Sequence, residues 1–294
     1  MDPFKFSQLH LRIPFETARR IKGRTYHFGQ LKLFYSELLF LSKHPDAKRV
    51  VYVGAAEGHH IGPLADLFPD MSFDLYDSRQ FVVEATDKIT LYNRYFTDQD
   101  AKGYIGQDVL FICDIRQLEF GTYRSSGAME MMDAIVTEDM RMQETWVRII
   151  KPTASLLKFR LPYEQGVQFQ YLAGTLYLQP YGKQSGEMRL HITQISTKTY
   201  VIAEINEKMA YFNYITRPRY RNNLVCTPFK PIWDNCYAFY ICKYYNSQMK
   251  STRSSRDACR LMRDVWRAHY HWFPSKLDRL LLPLTDQKNS TVDV

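Results

Sequence analysis

The sequence lacks several features that would place it in common protein classes. Its five cysteines are odd in number and form no Cys-x-x-Cys pair, which argues against a zinc site and a disulfide framework. No apolar run is long enough to span a bilayer, and the first residues contain no apolar signal-peptide segment. No internal repeat or low-complexity tract occurs. These absences predict a protein of a reducing, cytoplasmic compartment, with no resident metal and no membrane partner.

Composition predicts an ordinary core and a basic surface. The 294 residues are 45% hydrophobic and 24% charged, which is typical of one large or two small globular domains. Lys and Arg outnumber Asp and Glu by 39 to 31, giving a net charge of +8. A basic surface attracts polyanions, and 15% aromatic residues supply rings that can stack on bases. Nucleic acid is therefore a candidate partner, although most of these rings are expected in the core.

The pattern of apolar runs predicts an α/β fold. Residues 30–43 have the wide apolar face of a helix, and residues 127–150 predict a second, longer helix. Short buried strands are predicted at RVVYVG, MSFDLYD, KITLY, DVLFICD and ASLLKFRLP. Their alternation with helices favours a doubly wound parallel sheet. EMRLHIT and TYVIAEI follow without a long helix between them, which predicts an antiparallel ribbon at the edge of the sheet.

The chain divides into three predicted parts. Residues 1–28 form a basic N-terminal arm, and residues 29–205 hold the predicted sheet. Residues 206–294 contain short helical stretches interrupted by prolines, among which basic and aromatic residues alternate. We interpret this last part as a helical extension packed on the same domain.

A glycine-containing turn follows the first strand. Gly54-Ala55-Ala56-Glu57-Gly58 stands before a predicted helix, where small residues allow a ligand to approach the backbone and free N–H groups. Asp77 ends the next strand, where an acid can accept hydrogen bonds from a ribose. Gly-x-Gly-x-x-Gly and the P-loop lysine are both absent. S-adenosylmethionine is then the remaining common adenosine ligand, and a purely structural turn is the alternative.

Four charged residues occupy positions that favour apolar side chains. Lys32 lies in the apolar helix, Asp114 ends the fourth strand, Lys158 interrupts the fifth, and Glu187 begins EMRLHIT. Singly, each has an ordinary explanation as a surface or capping residue. Together they are expected to meet, because ligands bind at the carboxyl ends of strands and a buried charge needs a partner.

The order of these residues and their local sequences resemble one family. The matching stretches are Gly29-Gln30-Leu31-Lys32, VVYVGAAEGHHI, Asp77 with Arg79, Ile112-Cys113-Asp114-Ile115-Arg116, Ser155-Leu156-Leu157-Lys158-Phe159-Arg160 and Gly186-Glu187-Met188-Arg189-Leu190. They resemble the poxvirus cap-specific mRNA 2′-O-methyltransferases that also serve as the small, regulatory subunit of poly(A) polymerase. The resemblance runs from about residue 26 to about residue 215.

The resemblance implies a fold and a reaction. The fold would be that of Rossmann-like class I S-adenosylmethionine-dependent methyltransferases: a seven-stranded, mostly parallel sheet with an antiparallel edge and helices on both faces. The substrates would be S-adenosylmethionine, leaving as S-adenosylhomocysteine, and the first transcribed nucleotide of capped mRNA. Lys158 would be the general base, Lys32 would depress its pKa, Asp114 would orient the reacting groups, and Glu187 would hold Lys158. A poly(A) polymerase catalytic subunit would be a second partner.

The resemblance also assigns binding residues. Cofactor binding is expected from Gln30, Tyr52, Gly54, Ala56, Gly58, His60, Asp77, Arg79, Tyr95, Phe96 and Ile115. Binding of cap and RNA is expected from Phe15, Arg116, Arg160, Tyr163, Glu164, Glu204 and Glu207. One departure affects the cap slot: the family has an acid where Gln165 stands, and Glu164 is the nearest replacement.

Two alternatives to this function remain. The chain could be a non-enzymatic RNA-binding polymerase subunit built on a methyltransferase fold. It could also be a cap-independent RNA ribose methyltransferase, since that class shares the four charged residues.

Overall fold

The computed structural model describes residues 4–21, 23, 25–117, 128–162, 168–222, 228–249, 255–272 and 278–281. The strands are β1 (Arg49–Val53), β2 (Ser72–Tyr76), β3 (Ile89–Tyr92), β4 (Leu110–Cys113), β5 (Ala154–Phe159), β6 (Gln168–Leu172), β7 (Thr175–Tyr177), β8 (Met188–Ile192) and β9 (Thr197–Val201). The helices are α1 (Phe15–Ala18), α2 (Gly29–Ser42), α3 (Ile61–Leu67), α4 (Asp98–Gly103), α5 (Ala128–Ile150), α6 (Ile202–Tyr211), α7 (Arg217–Arg219), α8 (Trp233–Gln248) and α9 (Ser255–Trp272).

Seven of these strands form one sheet in the order β3-β2-β1-β4-β5-β8-β7. The first five are parallel, whereas β8 runs antiparallel to both β5 and β7. The predicted seven-stranded, mostly parallel sheet with an antiparallel edge is confirmed. The strand order reverses between β1 and β4, and the crevice at the carboxyl ends of such strands is where α/β sheets bind ligands.

The central strands are covered on both faces by helices. Every residue of β4 is buried, as are the last four residues of β1. Such continuous burial is typical of parallel strands sandwiched between helices. α2 is buried nearly all round and packs against α3 and α8, while α5 packs against α4 and β5. The predicted core therefore exists, and it fixes the strand ends at which the candidate site lies.

The predicted ribbon after β8 is wrong in part. EMRLHIT forms β8 inside the main sheet, but TYVIAEI divides between β9, which pairs with β6 in a separate two-stranded sheet, and helix α6. Ile202, Ile205 and Met209 are buried at helical spacing in α6, which explains why the apolar run leaves the strand conformation. The predicted boundary at 205/206 consequently falls inside α6.

The C-terminal helices pack directly on the predicted core. A π-helix (Phe212–Thr216) continues α6 into α7, and α8 contacts α2 while α9 contacts α8. The N-terminal arm also joins this part, because the Phe4 ring stacks on Tyr237 with centroids 4.0 Å apart. Across the described ranges, no helix has both the length and the apolar character needed to cross a membrane.

Candidate active site

The four charged residues predicted from the sequence meet at the carboxyl edge of the sheet. Lys158 Nζ lies 2.9 Å from Asp114 Oδ1, and Lys32 Nζ lies 2.7 Å from Glu187 Oε1. Asp114 follows β4 and Lys158 lies in the neighbouring strand β5, so their approach follows from adjacent parallel strands. Lys32 is on the first turns of α2, and Glu187 directly precedes β8. All four side chains are only 11–12% exposed.

A buried arginine joins the two pairs. Arg189 Nη1 lies 2.8 Å from Asp114 Oδ1, and Arg189 Nε donates to Gln179 Oε1 at 2.9 Å. Gln179 Nε2 in turn lies 3.4 Å from Glu187 Oε1. Arg189 lies within one of the stretches that match the family, but no role was predicted for it. The available signal was its position between Met188 and Leu190 in an apolar strand, where a charged residue needs a partner.

The pairing differs from the one that the resemblance implies. Glu187 contacts Lys32 and not Lys158, and its second oxygen, Oε2, lies 2.6 Å from Arg116 Nη2. Asp114 is the carboxylate that holds Lys158, and Lys158 Nζ also lies 3.4 Å from the Asp114 carbonyl oxygen. The site therefore contains two carboxylates, each held by two cations.

The electrostatics of this arrangement favour loss of the proton from the Lys158 amine. Burial lowers the pKa of Lys158, and Arg116 and Lys32 lower it further, against the opposing effects of Asp114 and Glu187. Burial acts to raise the pKa of Asp114, but Arg189 and Lys158 outweigh it and hold that pKa well below its usual range. Glu187 is held below its ordinary pKa in the same way, chiefly by Lys32. Both carboxylates are thus ionised while the lysine loses its proton more readily than in water.

The predicted glycine turn forms a tight loop against the end of β4. Gly54, Ala56 and Gly58 all have positive φ, at 79°, 56° and 75°. A Cβ at Gly54 would stand 2.8 Å from the backbone carbon of Asp114, so only glycine fits there. Asp77 fixes the loop from β2, because its Oδ2 accepts the Ala56 N–H at 2.7 Å. The loop therefore holds the predicted cofactor side of the sheet next to Asp114.

A buried polar chain links α2 to this loop. His60, fully buried at the start of α3, places Nδ1 2.9 Å from Gln30 Oε1 and Nε2 3.0 Å from Glu37 Oε2. Tyr52 donates its hydroxyl to Glu37 Oε1 at 2.6 Å. Gln30, Tyr52 and His60 were predicted, whereas Glu37 was missed. An acid inside the apolar stretch SELLFL was the signal for it.

The residues predicted to flank an adenine occupy different environments. Tyr95 is 78% exposed, while Phe96 is 6% exposed and packs edge-on against Tyr76 and Trp146 in the core. Ile115 is partly buried beside Asp114. Arg79 donates its backbone N–H to Asp77 Oδ1 at 2.9 Å, so it borders the loop.

The predicted cap residues that the structure describes fall into two groups. The N-terminal arm lies against α6, because the Ile13 N–H donates to the Glu207 carbonyl, and Phe15 lies edge-on to Tyr214 of the following π-helix. Glu204 is on the same helix as Glu207 and pairs with Lys208 at 2.7 Å. Arg160 is partly buried just after β5. Tyr163, Glu164 and Gln165 lie outside the described residues.

In the part of the chain that the structure describes, no cluster of His, Cys, Asp or Glu has the form of a metal site. The described cysteines, Cys113, Cys236, Cys242 and Cys259, are free thiols.

Comparison with known proteins identifies the family. The family model of the poly(A) polymerase regulatory subunit matches residues 3–267. Proteins named cap-specific mRNA (nucleoside-2′-O-)-methyltransferase from Myxoma virus (strain Lausanne) and Fowlpox virus (strain NVSL) are each 30% identical to this chain, over 69% and 73% of its length. The matches span 66% of the Myxoma virus protein, just under two thirds, and 75% of the Fowlpox virus protein. The solved sugar N-methyltransferase KedS8 from Streptoalloteichus covers 67% of this chain and 82% of its own, at 14% identity and a TM-score of 0.25, which is too low to bear on the fold. The length of the family match and the viral relatives show that the chain belongs to the poly(A) polymerase regulatory subunit family.

Proposed function

We propose that this chain transfers a methyl group from S-adenosylmethionine to the ribose 2′-hydroxyl of the first transcribed nucleotide of capped mRNA. The observation that carries the proposal is Lys158: its amine is buried, has a lowered pKa and lies 2.9 Å from Asp114 at the ligand-binding edge of the sheet. The names of the viral relatives support the same activity.

The residues at this edge fit S-adenosylmethionine. The positive-φ turn from Gly54 to Gly58 consists of small residues that allow a ligand to approach the backbone, and Gly54 lets this turn pack directly on the backbone of Asp114. Gln30 supplies an amide for the charged methionine end, and Asp77 supplies a carboxylate for the ribose hydroxyls. Arg79 and Ile115 border the loop where an adenine would lie, and the exposed Tyr95 is proposed to flank the same base. When bound, the cofactor supplies an electrophilic methyl group on a sulfonium.

The chain's own residues would activate and orient the nucleophile. A ribose hydroxyl attacks only as it loses its proton, and the neutral amine of Lys158 can accept that proton. Asp114 fixes the amine by accepting its hydrogen bond, while Lys32 and Arg116 favour the neutral form by charge repulsion. Because the amine is held before the reaction, positioning supplies much of the rate enhancement. Release of the proton from Lys158 to solvent would return the site to its starting state.

The cap would bind on the side of the N-terminal arm. An N7-methylated guanine carries a delocalised positive charge, which aromatic rings grip by stacking and carboxylates grip at the base edge. Ile13 of this arm contacts the backbone of Glu207, so Phe15 and Glu207 are proposed to act together, and Tyr163, Glu164, Glu204 and Arg160 complete the proposed set. The second partner, a poly(A) polymerase catalytic subunit, follows from the family to which the chain belongs.

Phe15→Ala should weaken binding of capped RNA about thirtyfold, because a desolvated cation–π contact contributes on the order of 2 kcal/mol. Fluorescence titration with a labelled cap dinucleotide measures this affinity. Phe6→Ala, which removes another ring of the arm, is the matched control. An equal loss in both variants would mean that the arm as a whole, and not Phe15, is responsible.

The proposed function is tested by offering the purified chain radiolabelled S-adenosylmethionine and three RNAs of one sequence. The first RNA carries an N7-methylated guanosine cap, the second carries an unmethylated guanosine cap, and the third has no cap. Transfer confined to the N7-methylated cap supports the proposal. Equal transfer to uncapped RNA favours a cap-independent ribose methyltransferase. RNA binding with neither cofactor binding nor transfer favours a non-enzymatic polymerase subunit.

A further inference from the structure

Lys32 and Glu187 belong to the charged tetrad, the name used here for Lys32, Asp114, Lys158 and Glu187. Both depend on a backbone segment that the C-terminal extension holds in place. This segment, residues 181–187, leads from Tyr181 to Glu187 and is called the Glu187 loop here. Tyr181 has a φ of 58°, a left-handed conformation that costs energy for a residue with a side chain. Such a conformation persists only where surrounding contacts impose it.

Those contacts come from α7 and α8. The N–H of Tyr181 donates to Asp234 Oδ1 at 2.6 Å, and the Gly182 carbonyl accepts from Arg217 Nη2 at 2.9 Å. Arg217 and Asp234 form an ion pair at 2.6 Å in which both side chains are at most 3% exposed. The Tyr181 hydroxyl donates to Asn235 Oδ1. A buried pair of this kind has a high desolvation cost, and its hydrogen bonds with the Tyr181 N–H and the Gly182 carbonyl help to compensate that cost.

The same loop sets the start of the helix that carries Lys32. The Tyr181 carbonyl accepts the N–H of Phe28, and the Phe28 carbonyl accepts the N–H of Lys32 at 2.9 Å. Tyr181 therefore has the extension on its N–H side and α2 on its carbonyl side. A displacement of Tyr181 would therefore change the distance between Lys32 and Glu187.

A second contact holds the end of the loop. Asn213, in the π-helix, donates from Nδ2 to the Ser185 carbonyl at 2.8 Å, and Ser185 Oγ accepts the N–H of Glu187 at 3.3 Å. Asn213 is 2% exposed. π-helical turns are rare and are often retained at functional sites. This one places Asn213 and Arg217 one turn apart on the face directed at the loop.

We infer that Arg217, Asp234 and Asn213 are positioning residues, through which the C-terminal extension sets the distance between Lys32 and Glu187. The inference rests on the proposed methyl transfer for its kinetic consequence, but not for its structural one. The extension would then help to position the active-site residues, in addition to providing any surface that binds a polymerase.

Arg217→Lys tests the inference, because it keeps the charge beside Asp234 but cannot span to the Gly182 carbonyl with the same fork. We expect kcat to fall at least tenfold, because misplacement of about 1 Å can cost up to about a hundredfold. The dissociation constant for S-adenosylmethionine should change less than kcat, because Gln30 is the only proposed cofactor residue on α2, whereas the turn from Gly54 to Gly58 packs on the backbone of Asp114. Amide hydrogen exchange in residues 181–187 should accelerate at least tenfold.

Two comparisons separate positioning from general destabilisation. Tyr245→Phe removes one hydrogen bond between α8 and the Leu67 carbonyl, away from the Glu187 loop, and should leave kcat and exchange in the loop unchanged. In a Glu187→Gln background, Arg217→Lys should have little further effect on kcat, because both changes break the same unit. Additive losses would overturn the inference.

Asn213→Ala gives an independent measurement if Arg217→Lys does not fold. It removes the side-chain contacts of Asn213 with the Ser185 carbonyl and with Arg217 Nη1, and it should raise exchange at Ser185–Glu187 while sparing the cofactor affinity. Unchanged exchange and unchanged kcat in a folded variant would overturn the inference. If the wild type transfers no methyl group, the proposed function fails, and hydrogen exchange alone still decides whether the extension holds the loop.

Discussion

The two halves of the charged tetrad are built in different ways. Asp114 and Lys158 stand on adjacent parallel strands, where the register of β4 and β5 brings them together. Lys32 and Glu187 stand at the beginning of a helix and at the end of a loop, and elements distant in sequence bring them together. The first half follows from sheet geometry alone, whereas the second requires specific side-chain contacts. The first half contains the proposed base, Lys158. The second half contains the charges whose positions depend on the Glu187 loop.

Replacing the proposed base separates the halves most sharply. Lys158→Ala should lower the rate of methyl transfer about 10²- to 10⁴-fold, the range typical of lost general base catalysis. Single-turnover kinetics with capped RNA measure the rate, and calorimetric titration should show that S-adenosylmethionine still binds. Lys102→Ala, at an exposed position of α4, is the control. A variant at Lys158 with full activity would mean that the base lies elsewhere.

Removing Arg189, the arginine that pairs with Asp114, should lower the stability of the fold as well as the activity. Arg189→Met leaves Asp114 with one cation fewer in a site where Arg189 is 2% exposed. Breaking a buried ion pair by removing one partner costs about 3–5 kcal/mol. Urea denaturation measures the loss. A change below about 1 kcal/mol would show that solvent reaches Asp114 and that the first half is less buried than its geometry indicates.

The pH dependence reports on the lysine itself. Lys158 accepts a proton only when neutral, so the rate should rise about tenfold per pH unit below its pKa and level off above it. Because burial lowers this pKa, the plateau should begin below the value of about 10.4 that lysine has in water. The profile of kcat/KM measured with capped RNA gives the inflection. An inflection at or above that value would contradict a desolvated base.

The smallest effects are expected from Arg116, the more exposed of the two cations that pair with Glu187. Arg116 is 35% exposed, so Arg116→Gln should change the free energy of unfolding by no more than about 1 kcal/mol. Its charge lowers the pKa of Lys158, so the inflection of the pH profile should move to higher pH in this variant. A shift to lower pH would show that Arg116 acts on Lys158 by another route.

The halves also differ in how far they could be predicted from the sequence. Acidic or basic residues at the ends of apolar strands predicted that Asp114 and Lys158 would meet, because parallel strands end at one edge. Which carboxylate pairs with which lysine depends on the reach of side chains and could not be predicted, so Glu187 was wrongly paired with Lys158. Arg189 and Glu37 were visible only as charges in apolar stretches.

The loop contacts were beyond prediction for a physical reason. Arg217 stands between Thr216 and Pro218, outside any apolar run that would mark it as buried, and nothing in the sequence links it to Asp234. Their pairing depends on how α7 packs against α8, which is a tertiary contact. TYVIAEI shows the same limit, since the apolar spacing of its second half also fits the helix that it enters.

The most direct test of the account is the nature of the methylated nucleoside. Capped RNA is incubated with the wild type and S-adenosylmethionine, digested to nucleosides, and measured by mass spectrometry. The account predicts one added methyl group on the ribose of the first transcribed nucleotide, which disappears with Lys158→Ala. A methyl group on a base, or a ribose methyl group that persists in the Lys158 variant, would contradict it.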